Sequence, residues 1–202
     1  QTCFPVEPDM PSEYDMRLKL IRLACVLIVA ISVMLTKASG TVAALEPTPD
    51  SLMTQGLQAY QRGSFDQALA AWKQAADLYE GDGKVGEQSR ALAQAAQASE
   101  SLGQVSQALQ QLELALTLAQ QTGDRARIAA VMESLGRTYL AARKPDAAMQ
   151  YLTQALAMAQ TDKDRRLIAA IHNDLGIAHV AQQHDPEALA AFVSSAQEAQ
   201  AV

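Results

Sequence analysis

Alanine returns every forty residues, at Ala68, Ala108, Ala148 and Ala188, and the register holds through all four copies. Other columns keep step. A large apolar residue follows four places on, at Trp72, Leu112, Leu152 and Phe192, and a small one three later, at Ala75, Ala115, Ala155 and Ser195. Twelve residues before each leading alanine stands Gly56, Ala96, Gly136 or Gly176. A fixed period of this length marks a stacked array. One such unit cannot cover its own apolar face and must lean on a copy of itself.

Each period holds two apolar-periodic segments and a tight turn. The chain is 49% hydrophobic but only 4% aromatic, and this alanine- and leucine-rich composition suits close-packed helices rather than sheets. In the first copy Leu52, Leu57 and Tyr60 mark helix A, Arg62, Gly63 and Ser64 the turn, and Phe65 opens helix B. Helix B then places Ala68, Leu69, Trp72, Ala75, Ala76 and Tyr79 on one face by three-and-four spacing. The later A helices are expected over 85–102, 125–142 and 165–182, and the B helices over 106–121, 145–160 and from 186 onward. The four repeats then occupy 50–84, 85–124, 125–164 and 165–202 within an array beginning at residue 45. Pro145 and Pro186 suit the first turn of helix B, where a missing N–H costs nothing. Asp185 and Ser64 are expected as N-caps. Small residues in the glycine and alanine columns let helices A and B approach, and the Trp/Leu/Phe column fills the groove beside them.

The first 44 residues are expected to stand outside this fold. A basic stretch, Met16 to Arg22, precedes thirteen apolar residues from Leu23 to Leu35; small residues follow, with Val42, Ala43 and Ala44 fitting a cleavage site and Ala38, Ser39 and Gly40 as a second choice. That is the anatomy of a secretory signal peptide. The apolar run is short for a spanning helix, so an uncleaved anchor in the inner membrane is the alternative. Residues 1–15, with Glu7, Pro8, Asp9, Pro11, Glu13 and Asp15, would spoil such a signal. Translation is therefore expected to start at Met16, with 1–15 a non-native leader and 16–44 the signal. Both cysteines, Cys3 and Cys25, then leave the mature protein. The expected location is periplasmic or secreted.

The helix pairs resemble the tetratricopeptide repeat (TPR). The small residue of helix A matches Gly56, Ala96, Gly136 and Gly176, and the small-large-small run of helix B matches Ala68, Trp72, Ala75 and their equivalents. The paired leucine of helix A falls at Leu135 and Leu175 but at Gln55 and Ala95 in the first copies, and the helix A aromatic survives as Tyr139. The closing proline is replaced by Glu80, Gln120, Gln160 and Gln200. The forty-residue spacing resembles the longer repeats of bacterial sensory, regulatory and CHAT-protease proteins and of kinesin light chains. The resemblance implies an all-α TPR-type α-solenoid of four helix-turn-helix repeats after the signal peptide. It also implies a concave helix A groove that takes a peptide or partner protein.

By position the groove candidates are Arg90, Gln94 and Gln97 in the second copy, Glu133, Ser134 and Arg137 in the third, and Asn173, Asp174 and Ile177 in the fourth. Met53, Leu57 and Tyr60 make the first copy more apolar. Amide-rich helices can pair with an extended backbone, and Arg90 and Arg137 with its carboxylates; the plain alternative is a solvated helix face. The lysine set of chaperone-binding TPRs is absent, since Met53, Ala93 and Glu133 stand in that column.

Other chemistry has little support. The net charge is −6 and no basic stripe follows residue 45, which disfavours nucleic acid. His172, His179 and His184 lie near one another in sequence but lack a carboxylate at helical spacing, so no metal is expected. No nucleophile–base set or phosphate loop is visible, so neither catalysis nor a cofactor is expected. Two roles remain: an exported adaptor, or the recognition arm of a larger CHAT-type protease or TPR-bearing membrane sensor. Under both the partner is a protein or peptide, the membrane is touched only through the N-terminal segment, and the oligomeric state is open.

Overall fold

A computed structural model of the protein describes residues 47–201; the leader expected at 1–15 and the signal peptide expected at 16–44 lie outside the described residues. Eight α-helices follow one another there: α1 (Pro49–Gln61), α2 (Phe65–Gly81), α3 (Val85–Ser101), α4 (Val105–Thr122), α5 (Arg125–Ala141), α6 (Pro145–Asp162), α7 (Arg165–Ala181) and α8 (Asp185–Gln200). Odd-numbered helices are the A helices and even-numbered the B helices of four antiparallel pairs.

A finer period of twenty residues underlies the repeat. Gly63, Gly83, Gly103, Gly123, Arg143, Lys163 and Gln183 all have φ between 57° and 76°, one in every inter-helix turn. A left-handed residue there lets the following amide reach back to a carbonyl five residues earlier, as Ser64 does to Ala59 (2.9 Å) and Gln104 to Ser99 (2.8 Å). Each helix and its turn thus fill half a repeat.

Capping differs from the expectation. Ser64 holds the N-cap of α2 without a side-chain bond, and Asp185 is the first residue of α8, with His184 before it as the cap residue. Side-chain caps stand instead on A helices: Thr48 accepts from the Ser51 amide, Asp124 from Arg127 and Asp164 from Leu167. The reason is backbone geometry. Those three residues have ψ of 87° to 151°, whereas Ser64 and His184 sit at 68°, short of the extended conformation that aims a cap at the first-turn amides. Pro145 and Pro186 do fall in the first turns of α6 and α8.

The columns make the core. Ala68, Ala108 and Ala148 are fully buried, as are Ala75, Ala115 and Ala155. The glycine column faces the large column directly: a Cβ on Gly56 would stand 2.3 Å from Trp72 Nε1, one on Gly136 2.5 Å from Leu152 Cγ, and one on Gly176 2.5 Å from the Phe192 ring. Close approach therefore requires glycine opposite a ring. Hydroxyls tie A to B within a pair, the buried Ser89 Oγ donating to the Ala115 carbonyl (2.7 Å) and the half-buried Ser195 Oγ to Ala169 (2.8 Å). Between pairs, α3 approaches α5 and α5 approaches α7 directly, while the B helices make no comparable approach among the described residues. The A helices therefore line the inner side of the curve. No helix among the described residues is long and apolar enough to cross a membrane.

Candidate functional site

The inner face is built by α1, α3, α5 and α7. Between α3 and α5 it opens into a cavity of about 350 Å³, floored by Ala93, Ala130 and Val131 and rimmed by Arg90, Arg127 and Ser134. Arg127 is occupied there: it bonds its own cap, Asp124, at 3.2 Å and donates to the Gly86 carbonyl of α3. Arg90 is exposed at the rim. Gln94, one residue beyond Ala93, buries its side-chain carbonyl oxygen without a hydrogen-bond partner among the described residues. Gln97 is half-buried. A larger cavity of about 600 Å³ lies elsewhere, where α2 and α4 diverge, lined by Lys73, Asp77, Leu92, Gln110 and Gln111. It holds none of the residues expected from sequence.

Farther along the same face the candidates bond to one another. Arg137 lies 3.2 Å from Glu100 of α3 and 3.7 Å from Glu133 of its own helix. Thr138 donates to Glu100 as well, and Ser134 Oγ donates to Glu133 at 3.2 Å. The Glu133 carboxyl faces that of Asp174 on α7, which Asn173 Nδ2 approaches at 3.4 Å. Burial pushes Glu133 up to about 7, with the neighbouring Asp174 adding to it and Arg137 opposing. Burial also raises Asp174 above the usual carboxylate range. Desolvation works against the Arg137 charge, yet Glu133, Glu100 and Asp174 together hold it more firmly protonated than usual.

The structure thus places the nine sequence candidates in two settings. Arg90, Gln94 and Gln97 lie on α3, with Arg90 on the open cavity; Ser134 lines that cavity too and also touches the polar cluster through Glu133. Glu133, Arg137 and Asp174 form the cluster itself, and Asn173 and Ile177 are exposed beside it on α7. Arg137, expected to meet a partner's carboxylate, has carboxylates of its own. Glu100 is the member that sequence reasoning missed. It lies 37 residues before Arg137, one turn short of the 41-residue step that links Tyr60 to Ser101, Gly86 to Arg127 and Glu133 to Asp174 across successive A helices. That step was the signal available. On α7, His179 lies with its ring 6.1 Å from that of His184. Among the described residues no His, Cys, Asp and Glu cluster could hold a metal ion, and no nucleophile–base pair is assembled.

Residues 87–161 match the sequence profile of the tetratricopeptide repeat. A search of the curated proteins gives no match. Among solved structures, BtubC (BKLC) from P. vanneervenii is similar at 18% identity and a TM-score of 0.66, over 76% of this chain and 63% of that one. Apo RapI is similar at 18% identity and a TM-score of 0.71, over 93% of this chain and 67% of its own. A Rap protein complexed with competence and sporulation factor gives 18% and 0.69, over 83% of this chain and 47% of that one. The chain therefore spans less than two thirds of BtubC and under half of that Rap protein, and the likeness is one of fold. Helix pairing, column packing and profile agree: the described residues form an all-α array of TPR-type helix pairs.

Proposed function

We propose that this chain is an exported scaffold that holds a peptide or a segment of a partner protein along its inner, A-helix face. The observation that carries the reading is the cavity between α3 and α5, whose apolar floor of Ala93, Ala130 and Val131 lies beside the exposed Arg90. Support also comes from the Rap protein of similar fold that is complexed with competence and sporulation factor. Export rests on the basic and apolar stretches over 16–44. A random peptide library selected against the full chain tests the groove. Enriched peptides should lose binding to Ala93→Arg and keep it with Leu114→Arg on α4. Loss at Leu114 with retention at Ala93 would overturn the reading.

A second reading makes these repeats the recognition arm of a larger protein, of the CHAT-type protease or membrane-sensor kind. It is favoured by a bare apolar face on α7 and α8, where Leu189 is 66% exposed and Val193, Ile177 and Val180 are exposed as well. The equivalent Met149 of the preceding repeat is half-buried and packs against the core. Reading the gene past the codon for Val202 tests this: an effector-coding frame supports it and an immediate stop removes it.

A further inference from the structure

Three carboxylates and one guanidinium meet where α3, α5 and α7 run side by side on the inner face. Glu100 and Arg137 join α3 to α5 at 3.2 Å, and Glu133 joins α5 to Asp174 of α7. Glu133 and Glu100 keep only 13% and 17% of their side-chain surface exposed. With all carboxylates ionised the group would carry two uncompensated negative charges in a poorly solvated seam. One proton held between Glu133 and Asp174 removes half of that excess and turns a repulsive contact into a hydrogen bond.

We propose that Glu133 and Asp174 form a proton-operated latch between α5 and α7, closed while they share a proton and loosened when both ionise. The latch changes how tightly successive A helices approach, and so the curvature of the inner face. It does not depend on what the groove holds.

Neighbouring charges leave the pair isolated. On α5, Arg137 and Ser134 face Glu133; α3 contributes Glu100, and α7 contributes Asp174 and Asn173. The other helices packed on α5 are engaged elsewhere: Glu113 of α4 accepts from Tyr139 at 3.5 Å, and Tyr151 of α6 stacks on the same ring. On α7, Glu198 of α8 pairs with Arg165 at the helix start, and Asp146 of α6 accepts from Gln182 past its end. Among the described residues, Arg137 is the one cation that makes an ion pair with either carboxylate, through Glu133 at 3.7 Å.

The direction of the response follows from linkage. Once the seam opens, Glu133 returns toward its ordinary 4.5, whereas closed it sits near 7. The opening equilibrium should therefore rise up to about tenfold per pH unit between those values and level off above. Hydrogen–deuterium exchange on the full chain, corrected for the intrinsic pH dependence of exchange, reads this directly. Between pH 5 and pH 7.5 the amides of α5 and α7 should open about tenfold or more relative to those of α1 and α2. Glu133→Gln supplies a permanent donor to Asp174 and should abolish that difference, while Glu113→Gln should leave it intact. Asp174→Asn serves the same purpose should Glu133→Gln fail to fold. A response spread evenly along the chain, no response, or one that survives both substitutions would overturn the latch.

Discussion

Alanine in place of Gly56 should stabilise α1 by about 1 kcal/mol if helix propensity were all that mattered. The packing reverses that sign. The new methyl would stand 2.3 Å from Trp72 Nε1, inside any permitted contact. Trp72 cannot simply turn aside, because it is 1% exposed and its Nε1 donates to the Met53 carbonyl at 3.2 Å. Displacing the ring costs about 1–3 kcal/mol as overpacking, and weakening its hydrogen bond about 0.5–1.5 more. Set against the propensity gain, Gly56→Ala should lose about 1–3 kcal/mol. The same change elsewhere calibrates the claim. Gly136→Ala meets Leu152, but the second repeat already carries Ala96 and Leu112 in those columns, so the cost should stay near or below about 1 kcal/mol. Gly81, at the end of α2, has nothing within 4 Å and no positive φ, and its replacement by alanine should gain about 0.4–1 kcal/mol. Urea unfolding followed by the fluorescence of the chain's single tryptophan and by far-UV circular dichroism measures all three. A neutral or stabilising Gly56→Ala, or a Gly136→Ala that costs more, would refute the argument that the indole sets the A–B distance.

The turns give a second test. Gly103→Ala meets open space but keeps φ at 74°, so thermal melts should show a loss of about 1–2 kcal/mol, while Lys163→Gly should recover up to about 1. Ala148→Leu should overpack a fully buried site and cost about 1–3 kcal/mol, against less than about 0.5 for Gln97→Ala. Because burial raises Glu133 from 4.5 to about 7, its contribution to stability is fully present below pH 4.5 and lost as pH climbs to about 7. The decline, shared with Asp174, should be on the order of 1–3 kcal/mol. Urea midpoints from pH 4.5 to 8 should fall for the native chain and stay flatter for Glu133→Gln.

Much of the fold was legible because packing columns repeat the same chemistry at the same step. Ala68, Trp72 and Ala75 announce a buried stripe, which the second and third copies also bury, while in the fourth Phe192 and Ser195 are half-buried. The expected helix limits differ from the observed ones by one or two residues, as at Val105 against an expected 106 and Asp162 against an expected 160. The turn geometry was legible in its first half only. Gly63, Gly83, Gly103 and Gly123 state a left-handed residue outright, but Arg143, Lys163 and Gln183 adopt the same φ without glycine's signature. Their conformation is imposed by the helices on either side, at a cost the packed pair can bear. Capping misled for a related reason. Ser64 and Asp185 have the right side chains, and the tight turn denies Ser64 the backbone angle and draws Asp185 into the helix.

The site was harder, because its contacts run between repeats rather than within them. A repeat read against itself shows which residues share a column and therefore do the same job. It does not show which columns touch. Glu133 and Asp174 occupy neighbouring columns, 41 residues apart, and meet because adjacent A helices run parallel with a one-residue offset. The same offset brings Tyr60 to Ser101 and Arg127 to Gly86, so each of the three A–A seams carries one such contact of a different chemistry. The first is a pair of hydroxyls, the second a guanidinium on a carbonyl, the third two carboxylates. Only the third must gain or lose a proton to change its strength. An array whose core is nearly identical from repeat to repeat can thus be made locally responsive by polar residues that leave every packing column unchanged.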